Sequence, residues 1–450
     1  MVDLKDLREN PQKYREAARK KRITVDIDSL IEMENKRRAL DARRQQITAE
    51  KNGIGKQIGQ LAGQLKKASG EQQKHLQEEM TKLQQRPTEL KKEEQDLEEQ
   101  IAQLSPQIAD LLLRVPQPPD SDVPEGADAS ENVLVRREGT PRKFDFKPKS
   151  HDELGKSLGI IDVERGVKLA GSRSYFLLGA GAELHNAVLR LALDLMVHEK
   201  GFTQMSVPVL VREEAMRGTG FFPAGREQAY RVGEPDETGE DVRFLTGTAE
   251  VSLTAFHMNE ILDEADLPRK YTAASTCFRR EAGTYGKDTA GIYRIHQFDK
   301  VEQVVICRND EAESRRWHVE MLGYAEEVLK RLQLPYRVIQ CCTGDLGPKN
   351  ASMIDIETWM PSREQPGNPD SGYGETHSAS RLYDFQARRM NLRYREKDGK
   401  TIKFCHTLNN TVVASPRILI PILENYQNAD GTVTIPEALR PYMHGKDRIG

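Results

Sequence analysis

The chain has 450 residues, 37% hydrophobic and 30% charged, and its 67 Lys/Arg against 70 Asp/Glu leave a formal net charge of −3. That length predicts two or three domains with a sizeable core, and the near balance of charge excludes binding of nucleic acid by bulk charge alone, so any RNA contact must come from a local patch. Composition also argues against disorder, five cysteines are too few for a disulfide scaffold, no apolar run reaches the roughly 18 residues of a membrane span, and MVDLKDLRENPQKY lacks the apolar stretch of a secretory signal. The expectation is a cytoplasmic protein with no membrane or DNA partner.

Residues 1–113 carry a single aromatic, Tyr14, which is too little bulk for a globular core. From Asp28 onward the segment predicts helix. Met33, Leu40, Ile47, Ile54 and Leu61 recur every seven residues, with Ile58 and Leu65 in the second seam position. After Ser69-Gly70 the repeat restarts with Leu76, Leu83, Leu90, Leu97, Leu104 and Leu111, joined by Met80, Ile101 and Ile108. Sustained heptads predict a coiled coil, and Ser-Gly between two such runs predicts a reversal. The result is a long antiparallel helical hairpin, each arm about 40 residues and roughly 60 Å. Arg37, Arg44, Lys51 and Glu94 interrupt the seam; a reversal near residue 70 brings Arg44 toward Glu94. Pro87 is expected to kink the second helix.

Residues 28–70 hold nine Lys/Arg and five Asp/Glu, whereas 71–113 hold five and ten. Two readings stay open: one helix neutralises the other, or the first offers a basic face to a polyanion through Arg37, Arg38, Arg43, Arg44, Lys51 and Lys56. Gly53, Gly55, Gly59 and Gly63 weaken that helix by up to ~1 kcal/mol each, either to admit a close backbone approach or because the hairpin tolerates them.

Residues 115–128, VPQPPDSDVPEGAD, read as a linker, giving expected boundaries of 1–114, 115–130 and 131–450. Beyond it the composition turns globular. Residues 184–196 predict a helix; 203–211, 271–278, 301–307 and 336–342 predict strands. Strand-dominated motifs with intervening helices favour an α+β fold with a mainly antiparallel sheet. Neither GxxxxGK[ST] nor GxGxxG occurs, so phosphates are not expected in a P-loop or Rossmann turn.

The most informative stretch is 277–303, CFRREAGTYGKDTAGIYRIHQFDKVEQ. It predicts a strand, a polar loop containing glycine and a returning strand. Arg279 and Glu281 would alternate onto one face, as would Phe298 and Glu302. An arginine, two carboxylates and a ring suit a ligand with phosphate, amine and planar base, because arginine forks onto phosphate and phenylalanine stacks under a purine. A surface hairpin with cross-strand ion pairs is the competing reading. The cysteines at 277, 307, 341, 342 and 405 show no CxxC or His spacing for zinc.

This stretch resembles motif 2 of the class II aminoacyl-tRNA synthetases in its seryl-tRNA synthetase form. Thr248-Ala249-Glu250 resembles that family's TAE signature, 374–395 (GETHSASRLYDFQARRMNLRYR) its ATP- and metal-contacting strand with DFQARR, 406–427 its motif 3, and 201–210 its motif 1, with Pro208 at the dimer interface. The N-terminal hairpin is a further hallmark, so the resemblance spans the chain. It implies a class II synthetase-like antiparallel sheet flanked by helices. It also implies ATP-dependent attachment of L-serine to tRNA(Ser) through a seryl-adenylate, with tRNA(Sec) as a second acceptor. The hairpin would grip the long variable arm of tRNA, and the chain would form a homodimer.

Residue by residue, the resemblance implies Arg279 on the α-phosphate and serine carboxylate, Glu281 at the adenine or amine region, Phe298 stacked on adenine and Arg417 on the γ-phosphate. Arg280, Glu375, Thr376, His377 and Ser378 complete the ATP site, with Glu375 and Ser378 on Mg2+. Thr248, Ala249, Glu250, Arg279, Glu302, Asn409 and Thr411 line the serine pocket. Departures are the glycine-poor NNTVVASPR, and Gly247 and Ser252 where proline is usual. A serine-activating homologue acting on a carrier protein, or a non-catalytic coiled-coil scaffold, remains the alternative.

Overall fold

The computed structural model describes residues 1–234, 242–283 and 291–450. It divides into two compact units, one made of 4–11 and 24–115, the other of 1–3, 12–23 and 116–450.

The first unit contains α1 (Leu4–Glu9) and the two long helices α3 (Ile27–Leu65) and α4 (Glu71–Arg114); α2 (Pro11–Lys20) lies almost wholly in the second unit. The Asp26 carboxylate caps α3 by accepting from the Ser29 amide at 2.9 Å. Gly70, at φ +66, opens α4 in the left-handed region that favours glycine. Ile47, Ile54, Leu90 and Leu97 are the buried core of the seam, with Leu40, Ile58 and Leu83 packed against them. These are the heptad positions read from the sequence, because a 3.5-residue repeat keeps one stripe facing the partner helix. The seam ions differ from expectation: Glu94 pairs with Lys51 at 2.6 Å, while Arg44 turns to Asp41 on its own helix at 3.2 Å. Helix α4 continues through Pro87 and Pro106. Among the described residues, and leaving aside the helix's own backbone, a Cβ on any of Gly53, Gly55, Gly59 or Gly63 would meet nothing within 4 Å.

The second unit is built on an eight-stranded sheet. In chain order its strands are β1 (Val133–Glu138), β2 (Thr203–Gln204), β3 (Arg269–Phe278), β4 (Gln297–Cys307), β5 (Tyr336–Gln340), β6 (Ser352–Trp359), β7 (Tyr373–Tyr383) and β8 (His406–Ser415). Their spatial order is β1-β5-β6-β7-β8-β4-β3-β2, antiparallel throughout except for β2 against β3. The expected strand over 203–211 breaks into β2 and a separate pair of residues, Leu210–Val211, in a small sheet. Pro208 lies between them, and a residue without an N–H cannot extend a ladder.

Helices α5 (Ala180–Asp194) and α6 (Glu311–Arg331) cover one face of the sheet. Leu184, Val188 and Leu191 from α5 and Trp317, Met321 and Ala325 from α6 share a core with Val301, Val305, Leu408 and Val412. Period-2 alternation then sends the intervening residues of β4 and β8 to the opposite face. That second face carries the polar cavity.

Candidate active site

Three central strands supply the floor. On β4, Phe298, Lys300 and Glu302 project to the same side; on β8, Asn409 and Thr411 do so while Asn410 turns back to bond the Met321 carbonyl at 2.9 Å. Glu302 lies directly across from Thr411 in the ladder, and Lys300 Nζ reaches Thr411 Oγ1 at 3.3 Å. Between Ile356 and Glu357 the pairing of β6 with β7 slips by one residue. Such a bulge re-aims side chains. Glu375, Thr376, Ser378 and Ser380 all line the same cavity as a result. Its volume is about 460 Å³, enough for a nucleotide-sized ligand.

Arg279 sits just past the end of β3. Its amide donates to the His296 carbonyl at 2.9 Å, its Nε donates to the Gly247 carbonyl at 3.2 Å, and its guanidinium stands 5.1 Å from the Phe298 ring centroid. The guanidinium of Arg417 also lines the cavity, bonding the carbonyls of Tyr293 and Glu375 at 3.1 Å each and lying 4.5 Å from the Tyr293 ring. Two arginines lining one cavity, each over an aromatic ring, suit a polyphosphate with a stacked base. On the same cavity Glu302 is 1% exposed and ion-paired with Lys300. Burial pushes its carboxyl up, against the pull of Lys300.

The chain's sequence relatives agree with this geometry. Residues 1–116 match the family model for the seryl-tRNA synthetase N-terminal domain, and 230–426 match the tRNA synthetase class II core domain (G, H, P, S and T). A serine--tRNA ligase of Deinococcus radiodurans is 43% identical over all of this chain and 99% of its own length. The chain belongs to the seryl-tRNA synthetase family. The seryl-tRNA synthetase from Pyrococcus horikoshii, solved with ATP, superimposes with a TM-score of 0.87 at 35% identity, covering 100% of this chain and 99% of that one. The cytoplasmic serine-tRNA ligase of Naegleria fowleri, solved with AMP, gives 0.84 at 30% identity over 100% and 98%.

Within this seryl-tRNA synthetase fold, most residues expected at the site meet in one cavity: Thr248, Glu250, Arg279, Glu281, Phe298, Glu302, Glu375, Thr376, Ser378, Asn409, Thr411 and Arg417. Three do not line it. Ala249 is packed in the apolar cluster with Leu253 and Ala273. Arg280 directs its amide to the Gln228 carbonyl at 2.9 Å. His377 is buried on the sheet's other side, bonded to Thr376 Oγ1 at 2.8 Å, and burial lowers its pKa to about 3, so it brings no charge to a phosphate. Strand alternation explains the placement of His377; Ala249 lies off the strands, just before the helix Glu250–Ala255. Glu281 reaches the cavity by a different route than expected: β3 stops at Phe278, and Glu281 adopts φ +51 and pairs with Arg294 at 2.8 Å. The glycine-containing loop expected between the two strands falls partly on 284–290, outside the described residues.

Sequence reasoning missed Lys300, Tyr293, Lys349 and Asp355, all lining the cavity. Lys300 had a signal, since DKVEQ places it two residues before Glu302 on the same strand face. Lys349 and Asp355 had none, for their partners lie far away in sequence. Asp355 Oδ1 is buried without a hydrogen-bond partner among the described residues, and burial together with the Glu375 carboxylate pushes its pKa up. With Glu375 and Ser378 it makes an oxygen donor set suited to a hard divalent cation. Cys341, Asp345 and Asp355 also group their ligand atoms within 4.8 Å; burial raises the Cys341 thiol, keeping it protonated.

In the hairpin, four of the six expected tRNA contacts are engaged locally. Arg37 bonds Glu34 and Asp41, Arg43 bonds Glu93, Arg44 bonds Asp41 and Lys51 bonds Glu94, at 2.6–3.2 Å. Arg38 and Lys56 are exposed. No helix of the described residues is long and apolar enough to cross a membrane.

Proposed function

We propose that this chain joins L-serine to tRNA(Ser) through a seryl-adenylate made from ATP. The observation that carries this reading is the buried polar corner of Glu302, Lys300 and Thr411 beside Arg279: a pocket for a small zwitterion with a hydroxyl, next to a polyphosphate clamp. The relatives solved with ATP and AMP support the nucleotide half.

In the first step an oxygen of the serine carboxylate attacks the α-phosphorus in line, and pyrophosphate leaves with the electron pair of the broken P–O bond. Arg279 neutralises the α-phosphate and the carboxylate, Phe298 stacks on the adenine with Glu281 at its edge, and Arg417 holds the γ-phosphate. Glu302 takes the ammonium or hydroxyl, with Thr248, Glu250, Asn409 and Thr411 around it. Catalysis of this kind rests on positioning and preorganised charge. Glu375 and Ser378 would hold Mg2+, with the unpartnered Asp355 oxygen beside them; the ion, when bound, neutralises phosphate charge. In the second step a terminal ribose hydroxyl of tRNA attacks the activated carbonyl carbon, its proton is lost, and AMP departs.

The capture of tRNA by its variable arm belongs to the hairpin, where Arg38 and Lys56 are the exposed cations among those expected. Domains of 1–114 and 131–450 joined at 115–130 divide the two tasks. The segment around Pro208 pairs two copies into a homodimer, which light scattering at micromolar concentration would report; a monomer there would refute it. Serine-dependent ATP–pyrophosphate exchange, with alanine as control, tests the central reading. Exchange with serine and at least ~10⁴-fold less with alanine is expected, because alanine leaves buried polar groups unpaired. No serine-dependent exchange, or alanine within tenfold, would overturn it.

A further inference from the structure

Glu250 opens the short helix Glu250–Ala255 and is 4% exposed on the cavity wall. Its two oxygens are used unequally. Oε1 accepts from Gln386 Nε2 at 2.7 Å and from the Lys349 ammonium. Oε2 has no hydrogen bond to any described residue.

Both donors are fixed from behind. Gln386 Oε1 accepts from Thr407 Oγ1 at 2.8 Å, and its Nε2 also donates to the Thr219 carbonyl at 2.8 Å. Rotating the amide by 180° would set its oxygen against two acceptors, the Thr219 carbonyl and the Glu250 carboxylate, so the network sets its orientation. Lys349 lies 3.9 Å over the Phe221 ring, and burial lowers its pKa against the opposing pull of Glu250. Its backbone is tied down on either side. The buried ammonium of Lys21 donates to the Gly347 carbonyl at 3.1 Å and to the Asn350 carbonyl, and the Gln117 amide donates to the Pro348 carbonyl at 2.8 Å.

A buried carboxylate without a cation takes up a proton, and a neutral acid is a poor partner for an ammonium. We propose that Lys349 and Gln386 are positioning residues for amino-acid recognition: together they hold Oε1 of Glu250 and leave Oε2 to take the ammonium of the amino acid. The inference rests on the reading of the cavity as an amino-acid activating site. A purely structural ion pair would need no free oxygen on the cavity side and no aromatic ring beneath the lysine.

The test is pyrophosphate exchange by the full chain with Lys349→Met, Lys349→Arg, Glu250→Gln and the double variant Glu250→Gln/Lys349→Met. Lys349→Met is expected to raise the KM for serine at least tenfold while leaving the KM for ATP within twofold, and Lys349→Arg is expected to keep serine KM within threefold of wild type. In the Glu250→Gln background, Lys349→Met should add less than twofold, since the carboxylate it serves is gone. Removing both charges together leaves no buried lone ion, so the double variant keeps the comparison alive if Lys349→Met alone does not fold. Unchanged serine KM in Lys349→Met, equal rises in both KM values, or a further tenfold loss in the double variant would overturn the inference. Wild-type chain without serine-dependent exchange would instead sink the underlying reading.

Discussion

The hairpin and the sheet unit solve opposite problems with the same residue types. In the hairpin, charges lie on the outside of a narrow apolar seam, and pairs such as Arg43–Glu93 and Arg86–Glu50 are about 40% exposed on both sides. Exposed pairs of this kind contribute roughly 0–1 kcal/mol each. In the sheet unit, Lys300–Glu302 and Lys349–Glu250 are buried beneath a cavity. Ions there are costly to desolvate and are retained for specificity or chemistry. The lesson is that a Lys–Glu pair has no fixed meaning; burial and the presence of an open cavity beside it decide whether it maintains register or recognises a ligand.

The sharpest way to break this contrast is to remove one carboxylate from each region. Glu302→Ala is expected to reduce serine-dependent exchange by two to three orders of magnitude, since loss of one partner of a buried pair costs about 2–5 kcal/mol. Glu94→Ala is expected to change it less than twofold. Similar losses in steady-state exchange assays would place Glu302 outside the reacting centre.

A smaller effect sharpens the hairpin side. Arg38→Ala with Lys56→Ala is expected to weaken tRNA binding several-fold and to lower the salt slope by about one unit per lost phosphate contact. Arg43→Ala with Lys51→Ala is expected to change binding less, because those side chains are held by Glu93 and Glu94. Filter binding over a range of salt concentrations decides between them; the reverse order would mean that these interhelical pairs open for tRNA.

The smallest effect concerns Lys21, whose pKa burial lowers to about 7 from 10.5. The unfolded chain keeps this proton up to its higher pKa while the folded chain releases it near 7. Stability contributed at this position therefore rises between pH 7 and pH 10, and the burial penalty is full below pH 7. Lys21→Met removes that penalty, so its melting temperature relative to wild type should be highest near pH 6 and decline toward pH 9. A difference that grows with pH would contradict the assignment.

The hairpin was legible because its contacts repeat locally: Ile47, Ile54, Leu90 and Leu97 are core by heptad count alone. Which ions meet across the seam was not, since side chains several bonds long reach a neighbouring turn, as Lys51 does to Glu94. In the sheet unit, Phe298, Glu302, Asn409 and Thr411 follow from alternation on predicted strands. Glu281 does not, because the chain leaves the strand at Phe278 and turns left-handed at Glu281 itself. Thr376 and Glu375 share a wall only through a bulge, and His377 was expected on that wall although alternation places it behind. Lys349 was invisible because its partner Glu250 is 99 residues away in sequence.

The division of labour between the two regions is tested most directly by replacing 28–113 with a short linker and measuring both half-reactions. The truncated chain should keep serine-dependent pyrophosphate exchange near the wild-type rate and lose charging of tRNA(Ser) at physiological salt. Near wild-type charging without the hairpin, or loss of exchange by a folded truncated chain, would contradict the account.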